Sequence, residues 1–137
     1  KIRARRNGVH NITTKEIDSL KVMKKMKGTA DRVLIDAPCS GIGVLKRNPD
    51  SKWKLQPEFI DNIIKTQAEI LDNYSQLVKV GGKLVYATCS ILPSENENQV
   101  KLFLENHPEF VLIKDNKVSA YKSGFDGFYM ALLSRMS

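Results

Sequence analysis

The chain has two cysteines, Cys39 and Cys89, and both close an apolar, strand-prone run and precede a serine. The first run reads Arg32-Val33-Leu34-Ile35-Asp36-Ala37-Pro38-Cys39-Ser40-Gly41, and the second Lys83-Leu84-Val85-Tyr86-Ala87-Thr88-Cys89-Ser90. A thiolate is a strong nucleophile. Placed at the mouth of a sheet, beside cations and near a helix N-terminus, its pKa falls into the working range. Cys89 fits that description best, because a helix is predicted to begin close behind it at Ser94, and Cys39 is the alternative. A single cysteine is ordinarily a small buried hydrophobe, but two in matched positions, one behind Asp-Ala-Pro and one inside Thr-Cys-Ser, point to chemistry.

Other catalytic classes find less support. A Cys-His hydrolase needs a base, and the two histidines, His10 beside a turn and His107 between Asn106 and Pro108, are not placed at the end of either run. Cysteines fifty positions apart, with no Cys-x-x-Cys or histidine pair, lack metal-ligand spacing. Gly41-Ile42-Gly43 is not completed by a third glycine, since position 46 is lysine, so no dinucleotide fingerprint is present.

These residues need a scaffold that brings both run ends together. Val33, Leu34 and Ile35 in succession suit a parallel strand covered on both faces, and ligands of such sheets sit beyond the carboxyl ends of the strands. Between the runs, Phe59, Ile60, Ile63, Ile64, Ile70, Leu71, Tyr74, Leu77 and Val78 recur at helical spacing behind Pro57, and Gly81-Gly82 is read as the stop. Strand, helix and strand then form a right-handed crossover with both cysteines on one edge.

Flanking elements complete the order. Lys1 to Gly8 reads as the last turns of a helix, Asn11 to Asp18 as a short strand and Ser19 to Lys27 as a short amphipathic helix. Ser94 and Glu97 have capping-box spacing ahead of an inward stripe of Val100, Phe103 and Leu104. Phe110 to Ile113 and Gly127 to Leu133 are further strands. The whole is an α/β chain with an antiparallel pair at its end, without repeats.

The 137 residues suffice for one domain, and 42% hydrophobic content suffices for a core. Two cysteines make no disulfide framework, and no apolar run approaches the ~20 residues that cross a bilayer. A soluble, cytoplasmic protein is expected. A net charge of +7 suits a polyanionic partner. The connection from Ser40 to Gln56 is long for a compact domain and carries Lys46, Arg47, Lys52 and Lys54 around Trp53. Such a surface holds phosphates and stacks a base, and the alternative is a tryptophan that anchors the loop to the core.

Asp36-Ala37-Pro38-Cys39-Ser40-Gly41, Lys46-Arg47-Asn48-Pro49-Asp50, the Gly81 to Ser90 run, Pro93-Ser94-Glu95-Asn96-Glu97 and Asp126-Gly127-Phe128-Tyr129-Met130-Ala131 together resemble the Sun/Fmu (Nol/Nop/Sun) family of RNA cytosine-5 methyltransferases. The resemblance runs from Asn7 to the C-terminus. It implies the C-terminal portion of a Rossmann-like class I methyltransferase sheet, with S-adenosylmethionine as cofactor and RNA as substrate, ribosomal RNA before transfer RNA. The thiol of Cys89 would add to cytosine C6, Cys39 would assist release of the adduct, and Asp36 would hold the base near N3 while also meeting the cofactor.

By the same resemblance Asp18 and Pro38 would line the cofactor, and Lys46, Arg47 and Trp53 would face the RNA. The family's glycine-rich cofactor loop and its RNA-recruiting region would precede Lys1. Residues 1–137 are thus expected to be a partial catalytic domain that on its own is inactive, binds cofactor weakly or not at all, and exposes sheet edges open to self-association. The rival reading is an RNA-binding module that keeps the fold without the chemistry.

Overall fold

The computed structural model describes residues 2–14, 16 and 20–137. Helix α1 (Ile2–Arg6) carries Arg3, Arg5 and Arg6 in its last turn. It is closed by Gly8 at φ 67°, a left-handed position that glycine takes without steric cost. Residues 11–14 run irregularly, so the described part of the expected strand does not form, and Asp18 lies outside the described residues. Helix α2 (Leu20–Met26) follows, as its spacing predicts.

Strand β1 (Ala30–Asp36) leads into the connection, which is not a featureless loop. It holds a 3-10 turn (Ile42–Val44) and a short helix α3 (Ser51–Lys54). Helix α4 (Pro57–Ser75) has Pro57 in its first turn and buries Gln67, Leu71 and Ser75. It ends before the glycine pair. Strand β2 (Val78–Thr88) already includes Gly81 and Gly82, which correct the reading of those residues as a helix stop. Leu77 and Val78 are apolar enough to continue the helical stripe, but they are buried at the start of a strand instead.

The glycines are required by a bulge. Pairing jumps from Ala30 with Val78 to Arg32 with Lys83, so Lys79 to Gly82 crowd opposite Asp31. Gly81 sits at φ 77°, and a Cβ on Gly82 would lie 2.8 Å from the Lys79 carbonyl oxygen. Lys79 and Asp31 form an ion pair across the bulge.

After β2 the chain makes a 3-10 turn (Pro93–Glu95), helix α5 (Glu97–Asn106), strand β3 (Phe110–Val118), a short helix α6 (Ala120–Ser123) and strand β4 (Phe128–Arg135). The capping box does not form. Asn96 occupies the N-cap of α5 with no side-chain cap, and Glu95 turns inward.

The sheet order is β1-β2-β4-β3, with β1 parallel to β2 and β4 antiparallel to both its neighbours. One face is packed against α4 and α5 through Ile35, Leu71, Leu84, Tyr86, Val100, Phe103, Tyr129 and Leu133. Each such side chain, when fully buried, contributes about 1.5–3 kcal/mol. The other face carries Leu34, Val85 and Leu132 in register, and Leu34 is 71% exposed. The expectation that β1 is covered on both faces therefore holds for one face among the described residues.

Candidate active site

Strands β1 and β2 run side by side in the same direction and finish together. The Ala37 N–H donates to the Ala87 carbonyl at 2.9 Å, carrying the ladder one step past the end of β1. The chains then diverge into Pro38-Cys39-Ser40 and Cys89-Ser90. The Sγ atoms of Cys39 and Cys89 come within 3.2 Å, both half-buried and free of disulfide bonding.

A buried carboxylate lies between the two loops. Glu95 accepts the Ser40 N–H at 2.7 Å, the Ser40 hydroxyl at 2.6 Å, the Ser90 hydroxyl and the Gln67 amide at 3.2 Å. The same Gln67 amide donates to the Pro38 carbonyl at 2.8 Å. Asn96 continues the network, donating to the Ser90 carbonyl at 3.0 Å and facing the Thr88 hydroxyl. A charge this deep is tolerated only when its lone pairs are filled.

A third loop closes the rim. The Gly43 N–H donates to the Cys89 carbonyl at 3.0 Å, and the Gly127 N–H donates to the Gly43 carbonyl at 2.8 Å. A Cβ on Gly43 would fall 2.2 Å from the Gly127 carbonyl oxygen, so the backbones meet where only glycine fits. Arg47 bridges to Asp126 at 2.6 Å, tying the same two loops at the surface.

The two thiols share a hydrogen bond but stand in different settings. Burial, and then the hydrogen bond to Cys89, push the Cys39 thiol up to about 12, so it keeps its proton at neutral pH. Either sulfur can donate in this contact. Helix α5 begins only at Glu97, with the 3-10 turn intervening behind Cys89.

Asp36 and Pro38 are exposed at the end of β1. The register puts Asp36 opposite Ala87, on the open face that also bears Leu34 and Met130. Among the described residues its carboxylate has no hydrogen bond or ion pair, which leaves it available to a ligand. Lys46 and Arg47 are exposed on the connection, and Trp53 is 76% exposed with the Lys52 ammonium 4.6 Å from its ring centroid. The tryptophan is not an anchor to the core.

Sequence reasoning missed the polar layer below the cysteines. Gln67 carries a signal, being a polar residue on the apolar stripe of α4, whereas Glu95 is hidden in a run that reads as a helix start. It also missed Phe125, 76% exposed, which lines an open groove of about 330 Å³ with Ile42, Lys46 and Asp126. The histidines lie elsewhere. His107 stacks on Phe103 with centroids 4.3 Å apart and bonds Asp72, at the end of a groove between α4 and α5 that includes neither cysteine. Among the described residues no group of His, Cys, Asp and Glu is placed to hold a metal, and no helix is long and apolar enough to cross a membrane.

A part-parallel sheet with helices on one face and reactive groups at the strand ends defines a Rossmann-like methyltransferase fold. Two solved structures from Pyrococcus horikoshii share it. NSun6 solved with SFG superposes at a TM-score of 0.83 with 24% identity, covering 99% of this chain and 38% of its own. A methyltransferase homolog superposes at 0.82 with 23% identity, covering 99% and 48%. The chain belongs to the 16S rRNA methyltransferase RsmB/F family, whose model matches residues 1–134. The ribosomal RNA small subunit methyltransferase B of Vibrio cholerae is 46% identical over 111 residues, 77% of this chain. The chain spans about a quarter, 26%, of that relative's length.

Proposed function

We propose that the protein to which these residues belong transfers a methyl group from S-adenosylmethionine to C5 of a cytosine in ribosomal RNA through a covalent adduct at Cys89. The observation that carries this reading is the pair of thiols 3.2 Å apart at one rim of the sheet. Family membership supports RNA methylation. The cysteine pair supports carbon as the accepting atom, because C5 of cytosine is too weak a nucleophile to react unaided.

Cys89 attacks C6. The S–C6 bond forms, and the C5–C6 π pair moves to C5, which becomes enamine-like. S-adenosylmethionine, when bound, supplies a methyl made electrophilic by its sulfonium. Water delivers a proton to N3 as negative charge builds there, and Asp36 accepts hydrogen bonds from that N3–H and from the cytosine amino group. Once C5 carries the methyl, its proton and the one gained at N3 pass to water, the C5–H pair forms the C5–C6 double bond, and the C6–S bond breaks with its pair leaving on sulfur. Cys39 keeps its own proton and donates a hydrogen bond to the Cys89 sulfur, which stabilises that sulfur as attacking and as leaving thiolate.

The carboxylate of Asp36, unpaired among the described residues, with Pro38 exposed two residues on, fits a cofactor carrying an amino group. Asp36 and Pro38 hold it on this reading, with Asp18 a further candidate. Lys46, Arg47, Trp53 and Phe125 face the RNA. Phosphates meet the cations while unstacked bases lie on the exposed rings. The target base must leave any stack to reach the thiols, so the substrate segment is a loop or a locally opened helix.

The test is incubation of the full-length protein with RNA containing 5-fluorocytosine, in which fluorine replaces the proton that must leave. A stable protein–RNA adduct is expected, lost in Cys89→Ser. Salt-sensitive binding without adduct would instead indicate a binding module.

A further inference from the structure

We infer that Glu95 is a positioning residue that holds the two cysteine-bearing loops at their working separation, acting through Ser40 and Ser90. The inference deepens the adduct chemistry proposed above and rests on it only for its kinetic consequence. Glu95 is 0% exposed and sits on the 3-10 turn that follows the second loop. Its own backbone is fixed, because its carbonyl accepts the Tyr86 hydroxyl at 2.8 Å.

The carboxylate joins the two loops, with two bonds from Ser40 and one from Ser90. Ser40 and Ser90 each follow a cysteine, and both hydroxyls donate to Oε2 while the Ser40 N–H and the Gln67 amide donate to Oε1. Shifting either loop breaks a bond to the same group. A carboxylate suits the position because it is an acceptor at both oxygens, whereas an amide would present an N–H₂ group to donors already pointing inward.

Two other duties can be set aside. Glu95 is not a helix cap, since α5 is entered from Asn96 without a side-chain cap. It is not an ion-pair partner either, for no cation contacts it among the described residues.

The experiment uses the full-length protein and the variants Glu95→Gln, Ser40→Ala and Ser90→Ala. Diamide takes two hydrogens from the thiols and joins Cys39 to Cys89. The rate of that coupling, normalised to alkylation of each thiol by iodoacetamide, reads sulfur apposition independently of methylation. Adduct formation on saturating 5-fluorocytosine RNA reads the consequence. Glu95→Gln should slow both by about tenfold or more while RNA affinity stays within about twofold, since misplacement by about an ångström costs on that scale. The serine variants should fall between it and the wild type.

Wild-type coupling in a folded Glu95→Gln overturns the inference. Should that variant not fold, wild-type coupling in both serine variants overturns it. Slowed coupling in a protein that forms no adduct leaves Glu95 as the positioning residue and removes the adduct chemistry instead.

Discussion

Cys39 and Cys89 approach through their sulfur atoms to 3.2 Å although fifty positions separate them, and burial pushes the Cys39 thiol up to about 12, so that it keeps its proton at neutral pH.

Retention of that proton has a measurable pH dependence. The folded value exceeds the ordinary 9.0, so the native state binds more protons than the unfolded state between the two. The contribution of Cys39 to stability is fully present below about 9 and is lost as pH rises through about 12. Urea denaturation from pH 8 upward should show stability falling more steeply in the wild type than in Cys39→Ala. Parallel curves would refute the assignment. At pH 8 iodoacetamide should label Cys39 far more slowly than an unfolded control peptide.

Gly43 marks the tightest contact of the rim. Gly43→Ala would set a Cβ 2.2 Å from the Gly127 carbonyl oxygen and 2.8 Å from that of Cys89. Overpacking there should cost about 1–3 kcal/mol, measured as a lowered midpoint in urea. At Gly124, with φ 72° and open space around it, alanine should cost about 1 kcal/mol. An equal or smaller loss at Gly43 would mean that the two loops part freely.

Trp53 and Phe125 are exposed rings whose removal leaves the core intact. Trp53→Ala and Phe125→Ala in the full-length protein should each weaken RNA binding by about 1–3 kcal/mol, the range for a lost base stack. Melting temperatures should not move. Lys46→Ala should reduce the slope of log affinity against log salt by about one. Unaltered binding in all three would take the connection out of the RNA interface.

Gln67 serves two acceptors, the Pro38 carbonyl and Glu95. Gln67→Leu leaves both short of a donor in a buried site, at about 1–3 kcal/mol. Gln67→Glu should be worse, since it sets a second carboxylate beside the first. Calorimetric unfolding that ranks these variants in the reverse order would contradict the described network.

Much of this arrangement was legible from residue order. The apolar runs ahead of Cys39 and Cys89, joined by one amphipathic helix, require parallel strands, and parallel strands place their ends together. The open face of β1 was not legible, because Val33-Leu34-Ile35 has no alternation to say that Leu34 lacks a cover. Gly81-Gly82 was misread for a physical reason: glycine after an apolar stripe serves equally as a helix stop and as a bulge. Pro93-Ser94-Glu95-Asn96-Glu97 has the composition of a helix start, and only tertiary packing turns Glu95 inward to meet two loops at once. Trp53 carried both an anchoring and a stacking interpretation, and its environment, set by distant residues, decides between them.

Strand β4 follows β3 in the chain yet lies between β2 and β3, and the loop leading into it supplies Gly127 to the rim. During synthesis the thiol pair therefore has no finished surroundings until β4 has emerged and slotted between β2 and β3. A ribosome that has delivered both cysteines but still holds β4 carries a nascent protein whose thiols lack the Gly127 side of their rim.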